Sequence, residues 1–169
     1  MVKYIFVLVV AFSFASCSVS GDRRVDNMLD SMGLEVINDI PASDPTMAGK
    51  HIDATIHMKP LSFYPEKQQC LIVLLHEICH HIGSLTGRTS YKLYKQAPYR
   101  LLEELIANKY AIAMMKRLGY KLRFSYKELN AEYMGTLAGY GYTKERVDSY
   151  VNAELKRSLE FSKKFLRRK

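Results

Sequence analysis

The chain has 169 residues, of which 48% are hydrophobic and 25% are charged, with only nine Gly and five Pro. This composition excludes a fibrous or largely disordered protein, and the length fits one domain with a core of its own. The formal net charge of +8 raises the question of an anionic partner.

The first residues combine one cation, an apolar run and then small residues. Lys3 precedes the run from Tyr4 to Phe14, which is too short to span a bilayer comfortably. This layout is typical of an export signal, and a buried N-terminal strand or helix is the alternative. We expect residues 1–17 to be the signal and residues 18–169 to form a single domain.

The end of this segment holds a cysteine that follows two small residues. Ala15 and Ser16 directly precede Cys17, and the junction resembles the lipobox of bacterial lipoproteins, with Phe14 where Leu is usual. The resemblance implies that Cys17 is the lipidated first residue of a membrane-anchored protein of the cell envelope. Ordinary signal-peptidase cleavage near Ala15 or Ser16, which would give a periplasmic or secreted protein, and an uncleaved anchor are the alternatives.

The next segment predicts a short helix followed by strands. A helix is expected around Val25 to Met32, ended by Gly33, and the apolar residues of Leu34–Ile37 follow as a strand. Residues 51–58 alternate apolar and polar side chains, which predicts one half-buried strand closed by Pro60.

Two long helices then follow, joined by a loop. Pro65 begins the first, which Gly83 or Gly87 would end, and Pro98 begins the second, which stops at Gly119. The first helix carries Cys70 and Cys79 about 13 Å apart along its axis. They cannot bridge each other and are expected to be small core residues.

The last third of the chain predicts two more helices. Ser125 is the expected N-cap of a helix through about Leu137, and Thr143 is the expected N-cap of a final helix. In the basic stretch 156–169, apolar residues interleave with the cations, which predicts an amphipathic helix with a solvated basic face. This face would suit an anionic membrane surface, and without a recognisable binding module we expect no specific nucleic-acid binding. The fold class is therefore α+β, mostly helical, with a small antiparallel or mixed sheet before the first long helix.

The first long helix contains HEICH, an HExxH motif. His76 and His80 are four positions apart and lie on one helix face, where two imidazoles can share one metal ion. Glu77 would then reach the metal-bound water as a general base, the arrangement of zinc hydrolases. The alternative is that the two histidines only cap or pack against neighbours.

A third ligand is expected from the second long helix. Glu104 and Asn108 are four apart on one face, so that Glu104 can complete the site while Asn108 orients a ligand histidine by a hydrogen bond. The alternative is that Glu103 and Glu104 are an exposed acidic pair near a helix start.

Together these motifs resemble those of the gluzincins, zinc peptidases with two histidines from HExxH and a glutamate from the following helix. The spacing of Glu104, Asn108, Tyr110 and Ala111 is most similar to that of the small ImmA/IrrE-type peptidases, although many gluzincins carry Asp at the position of Asn108. The resemblance implies a minimal zincin-like domain that binds Zn²⁺, with Glu77 as the base. It also implies that the strand Ile52–Met58 is the edge along which an extended peptide substrate lies.

Several other polar residues are weaker candidates for the site. His81 follows the second ligand and could tune Glu77, but a surface position is expected, and His51 and His57 are expected to face water. Cys79 points off the histidine face and is expected in the core rather than as a ligand. The donor that stabilises the oxyanion is left open among four tyrosines: Tyr91, Tyr94, Tyr140 and Tyr142.

These observations favour an exported, membrane-anchored zinc metallopeptidase, an endopeptidase rather than an exopeptidase. One alternative is a non-catalytic envelope lipoprotein with a structural zinc site, closed by a fourth ligand such as His81 or His57. The other is a basic surface-binding lipoprotein in which the HExxH motif is fortuitous.

Overall fold

The computed structural model describes residues 20–44, 47–64, 66–89, 96–122 and 127–166. The expected signal, Cys17 and Ser125 lie outside these ranges. The elements in chain order are α1 (Arg23–Met32), β1 (Glu35–Ile37), β2 (Gly49–Ile52), β3 (Thr55–Met58), a 3₁₀ turn (Leu61–Phe63), α2 (Lys67–Leu85), α3 (Ala97–Arg117), α4 (Lys127–Gly139) and α5 (Lys144–Leu166). The prediction of a mostly helical α+β fold with a small sheet before α2 is confirmed.

Helix α1 ends where its sequence predicts and begins at Arg23, two residues before the expected Val25. The Asp22 side chain accepts a hydrogen bond from the backbone N–H of Arg24, which satisfies one of the free donors of the first turn. Gly33 has a φ of 67° and ends the helix in the left-handed conformation, which costs glycine little.

The sheet has the order β1-β3-β2, with β1 parallel and β2 antiparallel to β3. The prediction of one strand over residues 51–58 is wrong, because Asp53 and Ala54 form a turn that divides the segment into a hairpin. Asp53 has a φ of 54°, a conformation that Asp adopts more readily than most residues other than glycine. The central strand of the described sheet is therefore β3, and β1 and β2 are its edge strands. The expectation that Ile52–Met58 forms the edge is wrong, because most of this segment is the central strand.

Helices α2 and α3 form the middle of the structure. They pack along each other, and α2 also contacts β2, β3 and α5. Apolar side chains surround most of α2, as expected for a helix covered on several sides. Their fully buried members include Leu71, Leu74, Leu75, Ile78 and Ile82.

Helices α4 and α5 cover α3 from the other side. Thr143 caps the start of α5 through the backbone N–H of Arg146, as predicted. The buried residues of α5 recur every three or four positions, as in an amphipathic helix: Val147, Val151, Glu154, Ser158 and Ser162. Among the described residues of the basic stretch, the fully buried positions are serines, and the apolar side chains are only partly buried against the core. Among the described residues, no helix combines the length and the apolar character that crossing a membrane requires.

Candidate metal centre

The structure brings His76 and His80 of α2 together with Glu104 of α3. The Nε2 atoms of the two histidines are 3.1 Å apart. Oε2 of Glu104 is 3.2 Å from Nε2 of His76, and Oε1 is 3.7 Å from Nε2 of His80. One ligand atom from each residue lies within 4.8 Å of the others, so this group could hold a metal ion.

The side chain of Asn108 determines which ring nitrogen of His76 carries the proton and which faces the group. Nδ1 of His76 is 2.9 Å from Oδ1 of Asn108, and since an amide oxygen only accepts, the proton lies on Nδ1. A neutral His76 therefore has a lone pair on Nε2, which faces His80 and the Glu104 carboxylate. Lone pairs that converge in this way repel each other unless a proton or a cation lies between them.

The pKa shifts of the three side chains agree with a group whose ligand atoms converge. Burial and the neighbouring His76 lower the pKa of His80 to about 3, so this imidazole is neutral and ready to bind a cation. Burial alone would lower the pKa of His76, but the hydrogen bond to Glu104 and the charges of Glu77 and Glu104 raise it. Burial alone would raise the pKa of Glu104, but His76 and His80 hold it below its usual value. The two shifts have the directions expected for an attraction between a protonated His76 and the Glu104 carboxylate.

Glu77 lies beside the group in a buried position. Strand β2 passes directly over it, and a β-carbon added to Gly49 would stand only 3.1 Å from Cγ and Oε1 of Glu77. Burial raises the pKa of the Glu77 carboxyl to about 7, although His76 and the backbone of His51 act in the opposite direction. A carboxyl with this pKa can both accept and return a proton near neutral pH.

All four of these side chains line one cleft, which has a volume of about 1090 Å³. Its walls come from β2, the β2–β3 turn, α2, α3 and α4. Besides His76, Glu77, His80 and Glu104, the cleft is bordered by Lys50, His51, Arg100 and Tyr133. The group is therefore accessible to a molecule that enters the cleft.

The other three histidines differ from their expected positions. His81 is buried, with Nδ1 3.0 Å from Nε2 of His51 and 3.3 Å from the carbonyl oxygen of Asp53, so the prediction of a surface histidine is wrong. His57 pairs with Asp39 at 2.9 Å instead of only facing water. Among the described residues, neither His81 nor His57 joins the candidate metal group.

The alternative of an exposed acidic pair at the start of α3 is also wrong. Glu103 is buried and receives hydrogen bonds from Nε of Arg88 at 2.9 and 3.0 Å. The same guanidinium donates to the carbonyl oxygen of Cys79 at 3.1 Å and to Oγ of Ser158 at 2.6 Å. Arg88 thus joins α2, α3 and α5 beside the candidate metal group. Cys70 and Cys79 are buried free thiols, as expected.

The tyrosines proposed as oxyanion donors are not confirmed. Tyr91 and Tyr94 lie outside the described residues, and neither Tyr140 nor Tyr142 lines the cleft. The described tyrosine that borders the cleft is Tyr133 of α4, whose pKa is raised by burial and by the charge of Glu104.

Sequence reasoning missed four residues that shape this region. Gly49 had a signal, since a glycine within a strand marks a close approach of the backbone. Arg88, Asn130 and Tyr133 had none, because their partners are distant in sequence or on another helix. Asn130 accepts a hydrogen bond of 3.1 Å from Nδ2 of Asn108.

Comparisons of the chain with protein families, curated proteins and solved structures find no match.

Proposed function

We propose that this protein is a zinc-dependent peptidase in which His76, His80 and Glu104 bind the metal and Glu77 is the general base. The observation that carries the proposal is the convergence of two imidazoles and a carboxylate from two helices, with a second carboxyl beside them in the same cleft. The motif resemblance to gluzincins is in agreement with it.

The donor set supports zinc in particular. Bonds of about 2.0–2.1 Å in tetrahedral geometry hold ligand atoms roughly 3.3–3.4 Å apart, and the distances of 3.1, 3.2 and 3.7 Å bracket this value. Three protein ligands leave one position for water, as in catalytic rather than structural zinc sites. Zinc bound here would lower the pKa of its water and polarise a substrate carbonyl.

The protein side chains have separate tasks in this chemistry. Glu77 takes the proton of the attacking water at its carboxylate and returns it to the departing amine. Asn108 keeps the proton of His76 on Nδ1, so that Nε2 is free to bind the metal. Tyr133, at the border of the cleft, is the described candidate for a donor to the oxyanion.

The cleft supports an extended peptide as substrate. Gly49, Lys50 and His51 of the edge strand β2 line it, and β2 pairs on one side with β3 and on the other with no strand of the described ranges. An extended chain can add to such an edge through backbone hydrogen bonds. Because the cleft is lined along β2, it would take the interior of a chain, which favours endopeptidase activity.

The location follows from the sequence outside the described residues. We propose that the protein is exported and anchored to the cell envelope membrane through a lipid on Cys17. The basic side chains of α5 would then find an anionic lipid surface close by.

The test is hydrolysis of a mixed peptide library by purified protein with added zinc. Wild type and a Glu35→Gln control, which changes an exposed glutamate, should cleave, and Glu77→Gln should lose at least about a hundredfold in rate. Hydrolysis that survives Glu77→Gln would contradict the assigned base. Stoichiometric zinc in a wild type that cleaves nothing would instead favour the non-catalytic envelope lipoprotein.

A further inference from the structure

Three side chains from three helices form a chain of hydrogen bonds that leads away from the candidate metal. Nδ1 of His76 on α2 lies 2.9 Å from Oδ1 of Asn108 on α3, and Nδ2 of Asn108 donates to Oδ1 of Asn130 on α4 at 3.1 Å. Asn108 is almost fully buried, with 1% of its surface exposed.

The amide of Asn108 has two orientations of almost the same shape, and they have opposite consequences. In the observed one, the oxygen accepts from His76 and Nε2 of His76 keeps its lone pair. In the flipped one, the NH₂ group would donate to Nδ1, and the imidazole proton would move to Nε2, where it would block metal binding. His76 can thus bind a metal through Nε2 only in the first orientation.

Asn130 selects between these orientations. If Asn108 alone flipped, its oxygen would point at Oδ1 of Asn130, and two acceptors would face each other without a proton between them. The bond would re-form only if the Asn130 amide turned at the same time. A buried acceptor left without its partner costs about 1–3 kcal/mol. This cost favours the orientation that leaves Nε2 of His76 free.

We infer that Asn130 is a positioning residue, which holds the Asn108 amide in one orientation and thereby keeps the His76 proton on Nδ1. The inference rests on the metal site proposed above. It adds a residue of α4 to a site whose ligands all come from α2 and α3, and it assigns that residue to the control of metal affinity.

The first test compares zinc affinities by competition with a chelator. Asn130→Leu has nearly the same size but no acceptor, and should bind zinc about tenfold more weakly, at the lower end of the effect of residues behind metal ligands. Asn130→Asp offers only acceptors and cannot follow a flip of Asn108, so it should bind zinc at least as tightly as wild type. Asn152→Leu, which changes an exposed helical asparagine that does not line the cleft, controls for the substitution itself.

The second test needs no metal. Nitrogen NMR of the metal-free protein at a pH where His76 is neutral should find its proton on Nδ1 in wild type and Asn130→Asp, and increasingly on Nε2 in Asn130→Leu. This readout would not respond to a loss of packing alone.

The outcomes separate the inference from the proposed function. A wild type that binds no zinc would contradict the metal site. The NMR measurement of the His76 proton would still test the role of Asn130. A folded Asn130→Leu with wild-type zinc affinity and an unmoved proton would overturn the inference. So would an Asn130→Asp that loses as much affinity as Asn130→Leu.

Discussion

Gly49 of the edge strand and Glu77 of the central helix approach so closely that there is no room for a side chain on Gly49. A β-carbon there would stand 2.7 Å from Cγ1 of Val73 and 3.1 Å from Oε1 of Glu77. Contacts below 3 Å force atoms to move, so the missing side chain allows β2 to lie over the carboxyl that we propose as the base.

We expect Gly49→Ala to clash first with Val73 and to displace β2 or, through the contacts at 3.1 Å, Glu77. Overpacking of this kind lowers the free energy of unfolding by about 1–3 kcal/mol. The rate of peptide hydrolysis should fall by more than this loss of stability explains, because the displaced group is the base. The matched control is Gly135→Ala within α4, where an added β-carbon meets no atom within 4 Å. Urea unfolding of the control should give equal stability or a gain of about 0.5–1 kcal/mol. Full activity in Gly49→Ala would contradict the importance of this contact.

Glu77 should make the stability of the metal-free protein depend on pH. Its carboxyl ionises near pH 7 in the folded protein against an ordinary value of 4.5. Between these values the folded state binds more protons than the unfolded state, so stability falls as pH rises and the loss is complete above pH 7. Glu77→Gln lacks this loss.

The variant should therefore equal wild type below pH 4.5 and exceed it above pH 7, by a difference on the order of 3 kcal/mol. Urea unfolding in the presence of a chelator, at pH 4 and pH 8, measures both points. A wild type as stable as Glu77→Gln at pH 8 would mean that the buried carboxylate carries no such cost.

Zinc binding should test the candidate metal group without a known substrate. His80→Ala or Glu104→Ala should remove stoichiometric zinc, whereas His57→Ala should retain it, because His57 pairs with Asp39 away from the group. Zinc at a hundred times its dissociation constant should raise the free energy of unfolding of wild type by about 2.7 kcal/mol. If zinc raised the free energy of unfolding of His80→Ala and His57→Ala equally, the ion would have to bind at a site other than the proposed one.

The buried ion pair between Arg88 and Glu103 should contribute far more to stability than a surface pair. Removing one partner leaves a buried charge, so Arg88→Ala should lose about 3–5 kcal/mol. The control is Arg157→Ala, whose partner is Glu154 but whose own side chain is 76% exposed, and which should lose at most about 1 kcal/mol.

A double variant tests the cause of this loss. Arg88→Met combined with Glu103→Leu removes both charges and should recover most of the stability lost in Arg88→Ala. Equal losses in the single and double variants, measured by urea unfolding, would mean that packing and not the unpaired charge is responsible.

Much of the fold could be predicted because its signals are local. Gly33, Pro98 and Thr143 act within one helical turn, and the spacing of His76 and His80 already fixes their shared face. Glu104 could be expected because it lies one helix further along the chain. The structure brings these residues together without any requirement beyond the packing of α2 on α3.

The remaining features depend on contacts that no local pattern reveals. The strand expected over residues 51–58 was an error because Asp53 makes the turn without the glycine that usually marks a hairpin. Arg88 lies in a polar stretch typical of a loop, and its burial depends on Glu103 and on Ser158, seventy residues away. Asn130 is an ordinary polar residue of a helix until Asn108 is known to lie against it.

Hydrogen bonds hold the first described residues against the rest of the structure. Ser20 is buried, its backbone N–H donates to Asp26, and its hydroxyl is bonded to Asp22. Asp22 in turn accepts from Tyr120 beyond the end of α3. A lipid on Cys17 would be only three residues away, a reach of at most about 11 Å. Such a short tether would keep the folded body, and the cleft with it, close to the surface of the bilayer.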